Sequence, residues 1–367
     1  MLINKKEYTS IWVENSKVMV IDQRWLPHKF EIEELKSLND FFVAIKDMWI
    51  RGAPLIGVTA AYGIACHMKK HNSDKDILEG YQHLLSARPT AVNLRYALDF
   101  MYTKLKKLPR LERYDQGFLL ADKLRRNELE ISTKIGDFGS ELIKNIYDQT
   151  KKTVRILTHC NAGWLATVNY GTATAPIYWA QKQEVPIHVF VDETRPRNQG
   201  AQLTSWELGN NQVPYDLITD NAGGHLMQNN EVDIVIVGTD RTTATGDVCN
   251  KVGTYLKALA AADNDIPFYV ALPSTTIDWT ISNGSNEIEI EERDPDEVHF
   301  VQGINSNGEI EKVRVSPPSS TARNPAFDVT PSRLVTGLIT EYGIVSANKE
   351  SLEKLFSTYI KERSLRI

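Results

Sequence analysis

Five short runs rich in β-branched residues punctuate the second half of the chain: 154–159 (VRILTH), 187–192 (IHVFVD), 215–220 (YDLITD), 232–238 (VDIVIVG) and 267–272 (PFYVAL). Val and Ile are stiff at χ1 and fit a pleated surface, so each run reads as a strand. Their near-continuous apolar character suits parallel strands buried on both faces. Helical stretches separate them, and strand–helix alternation of this kind predicts a doubly wound α/β sheet.

The first half has a different rhythm. Short β-prone pieces such as SKVMVID open the chain, and a helical pattern runs over about 31–108. Within it Leu94, Leu98, Met101, Leu105 and Leu108 recur at spacings of four, three, four and three, one apolar helix stripe. The run APLIGVTAAYGIACHM is small and apolar throughout, which predicts a buried helix. Residues 115–148 read as one or two charged amphipathic helices and hold the expected domain boundary, since 367 residues exceed one ordinary core.

Charge and cysteine usage narrow the setting. Basic (42) and acidic (47) residues are mixed along the chain, giving a formal net charge of −5. No basic stripe marks a nucleic-acid surface. No apolar run approaches the roughly 20 residues that span a bilayer, and the N-terminus lacks a signal-peptide h-region. Three cysteines, Cys66, Cys160 and Cys249, show no metal-like spacing and fit reduced thiols in a cytoplasm.

In an open α/β sheet, ligands bind beyond the carboxyl ends of the strands. That rule selects three polar loops: Cys160-Asn161-Ala162-Gly163, then 193–200 (ETRPRNQG), then Thr239-Asp240-Arg241 with Gly246-Asp247 and Asn250-Lys251 beyond it. A thiol between a strand end and a helix N-terminus is expected to lean toward thiolate, although most free cysteines are packing residues. A carboxyl just past a buried strand is expected to be desolvated, protonated and able to act as an acid. Asp240 and Asp247 both compete for that role, and a loop-capping Asp is the ordinary alternative for each. Asn250-Lys251 ahead of VGTYLKALAA, and Arg51-Gly52-Ala53-Pro54 ahead of the buried helix, offer anion cradles at helix starts. Arg88-Pro89-Thr90 offers another guanidinium. Trp164, Trp206 and RGAPLIGVTAA are candidates for an apolar site lining, with core packing the simpler reading. No His/Cys/Asp spacing suggests a metal, and neither a GxGxxG fingerprint nor a Walker loop calls for a nucleotide, so no cofactor is expected.

Eight segments in series, RGAPLIGVTAAYG, ARPTAVNL, THCNAG, DETRPRNQGAQLTSWEL, GTD…GDVCNKVGTY, IPFYVALPSTTID, EIEERDPDEV and NPAFDVTP, resemble those of the methylthioribose-1-phosphate isomerase family of methionine salvage. That family is similar in fold to the regulatory subunits of the translation-initiation exchange factor. The resemblance implies a smaller, mainly helical N-terminal domain (1–125), a Rossmann-like α/β domain (126–367) and a homodimer. It makes Cys160 and Asp240 the catalytic pair and puts Arg51, Gly52, Ala53, Arg88, Gln199, Asn250 and Lys251 against a small sugar phosphate. Arg88 and Gln199 owe their selection to the resemblance alone. Thr239 and Thr242 stand where the family commonly has apolar residues, which raises the expectation of altered acidity at Asp240.

The implied reaction turns a 1-phosphorylated aldose into the 1-phosphorylated 2-ketose. A sugar phosphorylated at C1 cannot open to a free aldehyde, so an acid must protonate the ring oxygen with phosphate still attached. Hydrogen then moves from C2 to C1, through an enol phosphate or as a direct hydride shift. Asp240 suits the acid, and Cys160 either the base or a stabiliser of positive charge. Isomerases of 5-deoxyribose 1-phosphate or ribose 1,5-bisphosphate, and a non-catalytic sensor of the exchange-factor type, are the competing readings.

Overall fold

The computed structural model describes residues 1–3 and 5–364, with side chains to residue 357. Its centre is a seven-stranded sheet whose strands, in chain order, are β1 (Val154–Thr158), β2 (Ile187–Asp192), β3 (Tyr215–Ile218), β4 (Ile234–Val237), β5 (Phe268–Ala271), β6 (Gly337–Thr340) and β7 (Gly343–Val345). They lie in the order β3-β2-β1-β4-β5-β6-β7. The first six are mutually parallel and β7 returns antiparallel beside β6. The five sequence runs are therefore strands of one mixed, mainly parallel sheet, and all four residues of β4 are buried. One expectation needs correcting: β3 is an edge strand and half-exposed, with Leu217 at 50%. The turn signals around 215–220 locate it, but being at the edge removes one neighbour.

The chain winds outward from β1 to β3, then crosses back to lay β4 against the other side of β1, with Ile156 opposite Ile234 and Leu157 opposite Val235. At this reversal the connections on either side diverge, which opens a crevice beyond the carboxyl ends of β1 and β4. The crevice is where Cys160 and Asp240 emerge.

The first part of the chain holds a three-stranded antiparallel sheet (Ile11–Glu14, Lys17–Ile21, Ile32–Leu35) and helices Leu38–Lys46, Ala53–His67, Asp74–Leu85 and Val92–Leu105. The strand Ile32–Leu35 interrupts the region read as helical, because it pairs with Lys17–Ile21, a partner the local pattern does not reveal. Ser37 and Ser73 each close a reciprocal capping box, which fixes where their helices start. Ala53–His67 is buried at every position from Pro54 to Ala65, so it is the hub of this part. Arg113–Thr150 is one continuous 38-residue helix. Its Ala121 and Leu124 join the first apolar cluster, whereas Ile131, Ile135 and Ile143 join the cluster under the large sheet.

A small four-stranded sheet (Ile277–Asp278, Arg241–Thr243, Val248–Lys251, Phe327–Thr330) sits beyond β4. It converts the loop after β4 into rigid structure.

Candidate active site

Cys160 lies two residues beyond β1 with φ +66°, in the left-handed region. Its N–H donates to Thr194 Oγ1 (2.8 Å), and its carbonyl accepts from Thr204 Oγ1 (2.7 Å). Two side chains thus hold a backbone that would otherwise be strained. No α-helix begins here: a short 3-10 turn, Trp164–Ala166, follows, and the next α-helix is Ala175–Lys182. The helix-dipole argument for a thiolate therefore fails. Burial pushes the Cys160 thiol up, and the opposing charges of Arg51 and Lys251 do not reverse that. The resting residue is a neutral thiol, 8% exposed.

Asp240 follows β4, its N–H bonded to Cys249 O (3.0 Å). Enclosure by protein raises its pKa, against Arg88, Lys251 and Arg51, so the carboxyl leans toward its protonated form. Asp247, the rival acid, is used otherwise. Its two oxygens accept the N–H groups of Gly284 and Ser332 (2.9 Å each), tying together two loops outside the cleft. Thr239 Oγ1 contacts the carbonyls of Arg241 and Cys249 (2.9 Å each) and accepts from Thr242 Oγ1 (3.3 Å). Those hydroxyls are turned to backbone and to each other, not to the Asp240 carboxyl.

Arg51 precedes the buried helix Ala53–His67. Its guanidinium donates to Asn161 Oδ1 (2.6 Å) and Asn161 O (3.3 Å), and lies 3.7 Å from Cys160 Sγ. Gly52 caps that helix at φ +93°, and a Cβ there would meet Ala166 O at 2.3 Å. Only glycine fits both the conformation and the approach. The helix start has no side-chain cap, and Gly52, Ala53 and Pro54 line the cleft, an arrangement suited to receiving an anion.

Asn250 and Lys251 are not at a helix N-terminus, as the sequence suggested, but on the strand Val248–Lys251 of the small sheet, ahead of a helix at Thr254. Asn250 donates to Thr254 Oγ1 (3.0 Å). Lys251 Nζ donates to Ala326 O (2.7 Å) and sits 4.9 Å from the centre of the Phe327 ring. Burial lowers its pKa. Gln199, 6% exposed, stands at the head of a π-helical turn, Gly200–Thr204. A Cβ on Gly200 would meet Asp192 O at 1.6 Å, so this loop too depends on a glycine.

All nine residues selected from the sequence, Cys160, Asp240, Arg51, Gly52, Ala53, Arg88, Gln199, Asn250 and Lys251, line one cleft of about 760 Å³, its open mouth included. Trp164 and Trp206 do not; Trp164 is fully buried core. The cleft also receives Asn161, Arg197, Arg293 and Phe327, which the sequence reading left unassigned. Behind it, fully buried Glu207 accepts from Asn161 Nδ2 (3.0 Å), Trp164 N (3.1 Å) and Leu165 N (2.9 Å). Burial raises its pKa to about 7. A chain Glu207–Asn161–Arg51 thus sets the guanidinium beside the thiol. Adjacency of Asn161 to Cys160 was its only local signal, and Glu207 had none.

His159, Asp192 and Asp220 bring ligand-type atoms within 4.8 Å of one another. Lys257 Nζ lies 3.2 Å from Asp192 and donates to Asp220 O, so an ammonium already supplies the positive charge there. His159 bonds Asp192 (2.8 Å) and Val252 O (2.9 Å), joining the ends of β1 and β2 to the loop ahead of the 254–263 helix.

A doubly wound sheet with its cleft at the strand-order reversal defines the class: residues 49–347 match the initiation factor 2 subunit family, to which the chain belongs. Within it the chain groups with the methylthioribose-1-phosphate isomerases. The protein of that name from Brucella anthropi is 58% identical, covering 97% of this chain and 99% of the relative. Its Escherichia coli O45:K1 counterpart is 52% identical over 100% and 99%. Among solved structures, 5-methylthioribose 1-phosphate isomerase from Pyrococcus horikoshii has a TM-score of 0.83 at 36% identity, covering 96% of this chain and 97% of that one. Translation initiation factor eIF-2B, subunit delta, from A. fulgidus has a TM-score of 0.80 at 35%, covering 96% and 100%.

Proposed function

We propose that the chain converts S-methyl-5-thioribose 1-phosphate to S-methyl-5-thioribulose 1-phosphate in methionine salvage. One observation carries the reading: a buried thiol and a carboxyl leaning toward protonation line a single cleft with Arg51, Arg88, Lys251 and an uncapped helix start.

The phosphate rests between the 52–54 backbone, Arg51 and Lys251, which hold the anomeric carbon at the thiol and carboxyl. Asp240 gives its proton to the ring oxygen as the C1–O bond breaks, leaving a cation at C1 shared with the phosphate ester oxygen. Hydride passes from C2 to C1, and the Asp240 carboxylate takes the C2 hydroxyl proton, which restores the acid and leaves the ketone. A protonated Cys160 favours this route over thiolate abstraction of the C2 proton, and its polarisable sulfur lies where positive charge develops. Substrate seated in the cleft keeps water from the cation. No cofactor enters this scheme.

Turnover of methylthioribose 1-phosphate by purified, metal-stripped protein tests the activity. The same reaction in heavy water tests the route, with product C1 expected to gain little deuterium; abundant solvent deuterium there would exclude the hydride shift. The A. fulgidus structure supports a second reading, a regulatory subunit without turnover. A Cys160→Ala variant that folds and binds but no longer isomerises separates the two.

The two-unit division at 1–125 and 126–367, implied by the family resemblance, is supported by the change of core partner along the 113–150 helix, while Ile3, Ile21 and Leu26 of the first unit pack in the second unit's core. The homodimer follows from the family resemblance, and light scattering on the purified chain tests it. Three unpaired thiols support a cytoplasmic setting.

A further inference from the structure

Five cationic side chains line the cleft, and they are not equally free. Among the described residues, Arg51 and Lys251 have neutral partners: Asn161 and the Cys160 sulfur for one, Ala326 O and the Phe327 ring for the other. Arg88 lies 3.9 Å from Glu291. The remaining two are held by carboxylates, Arg293 through all three of its nitrogens and Arg197 through Nη1. Glu297 accepts from Arg197 Nη1 (2.8 Å), from Arg293 Nη2 (2.7 Å) and Nε (3.0 Å), and from Asn324 Nδ2 (3.0 Å). Arg293 Nη1 is taken by Glu291 (2.9 Å). These hydrogen bonds hold the Glu297 carboxyl at a pKa of about 2, so its charge persists at any physiological pH.

We infer that Glu297 determines substrate specificity: by bridging Arg197 and Arg293 and offsetting one of their two charges it matches the cleft to sugars carrying one phosphate and turns away those carrying two. The inference rests on the sugar 1-phosphate reading above. A phosphate monoester carries roughly −1.5 to −2 charge at pH 7, which Arg51 and Lys251 balance. A thioether at C5 is uncharged and needs no cation. A second phosphate at C5 would shed its water in a cleft whose other guanidiniums already share two carboxylates, Glu291 and Glu297. Selectivity of this kind comes from an arrangement hostile to the competitor rather than from extra contacts to the substrate.

Calorimetric binding and steady-state turnover with ribose 1-phosphate, methylthioribose 1-phosphate and ribose 1,5-bisphosphate test this on the full chain. Wild-type protein is expected to bind the bisphosphate no more tightly than ribose 1-phosphate. Glu297→Gln should tighten bisphosphate binding about tenfold relative to the monophosphate, and a second change, Arg197→Gln, should cancel that gain. A wild-type preference for the bisphosphate of about tenfold, or a folded Glu297→Gln protein with an unaltered ratio, overturns the inference. The wild-type comparison decides alone if Glu297→Gln does not fold. Failure of wild-type protein to isomerise any of the three sugars would instead overturn the isomerase reading, with the binding comparison intact.

Discussion

At the residue scale the site's chemistry depends on side chains whose protonation is set by enclosure. Asp240→Asn removes the proposed ring-opening acid and is expected to lower kcat by about 10²–10⁴-fold with little loss of fold, checked by turnover alongside circular dichroism. Since Cys160 is a protonated thiol at neutral pH, its alkylation by iodoacetamide at pH 7.5 should run well below that of a cysteine peptide and rise with pH, followed by mass spectrometry. Asn161→Ala releases Arg51 from its 2.6 Å anchor. The expected signature is a KM increase of about tenfold with a smaller effect on kcat, since in the proposed scheme Arg51 binds phosphate in ground and transition states alike. The sequence revealed Cys160 and Asp240 because each directly follows a recognisable strand. It misjudged the state of Cys160, because the supposed helix behind the thiol is a 3-10 turn. It was silent on Glu207, which reaches the site only through Asn161.

Among elements, the start of the Ala53–His67 helix is the most constrained. Gly52→Ala forces a left-handed backbone onto a Cβ and drives that Cβ into the Ala166 carbonyl. A loss of about 2–4 kcal/mol in urea unfolding, with loss of turnover, is expected. Strands β1, β2, β4 and β5 were legible because continuous Val/Ile runs have few other uses. The small sheet was not. Its strands pair residues as distant as Lys251 and Phe327, so Asn250-Lys251 looked like the lead-in to the helix rather than a strand end. The strand Ile32–Leu35 was lost for the same reason, its partner lying across a turn the pattern does not announce.

For the molecule as a whole, buried carboxyls make stability fall with alkali. Burial lifts Glu207 from 4.5 to about 7 and Glu128 from 4.5 to about 8, the latter also under the charge of Glu341. A folded-state pKa above the unfolded one means the native protein holds its proton more tightly. The contribution is complete below about pH 4.5 and disappears as pH climbs through 7 and 8. Urea midpoints should drop across that window, and Glu128→Gln should recover about 1–3 kcal/mol at pH 9 while changing little at pH 5. The doubly wound layout was readable from strand–helix alternation, and its reversal between β1 and β4 explains how Cys160 and Asp240, far apart in the chain, share a cleft. Lys251 owes its position to register with Phe327 and to the carbonyl of Ala326. During synthesis, thiol and carboxyl therefore leave the ribosome well before the ammonium has anything to hold it. A nascent chain ending short of residue 326 carries Cys160 and Asp240 but lacks both the carbonyl that seats Lys251 and the strand that pairs with Val248–Lys251.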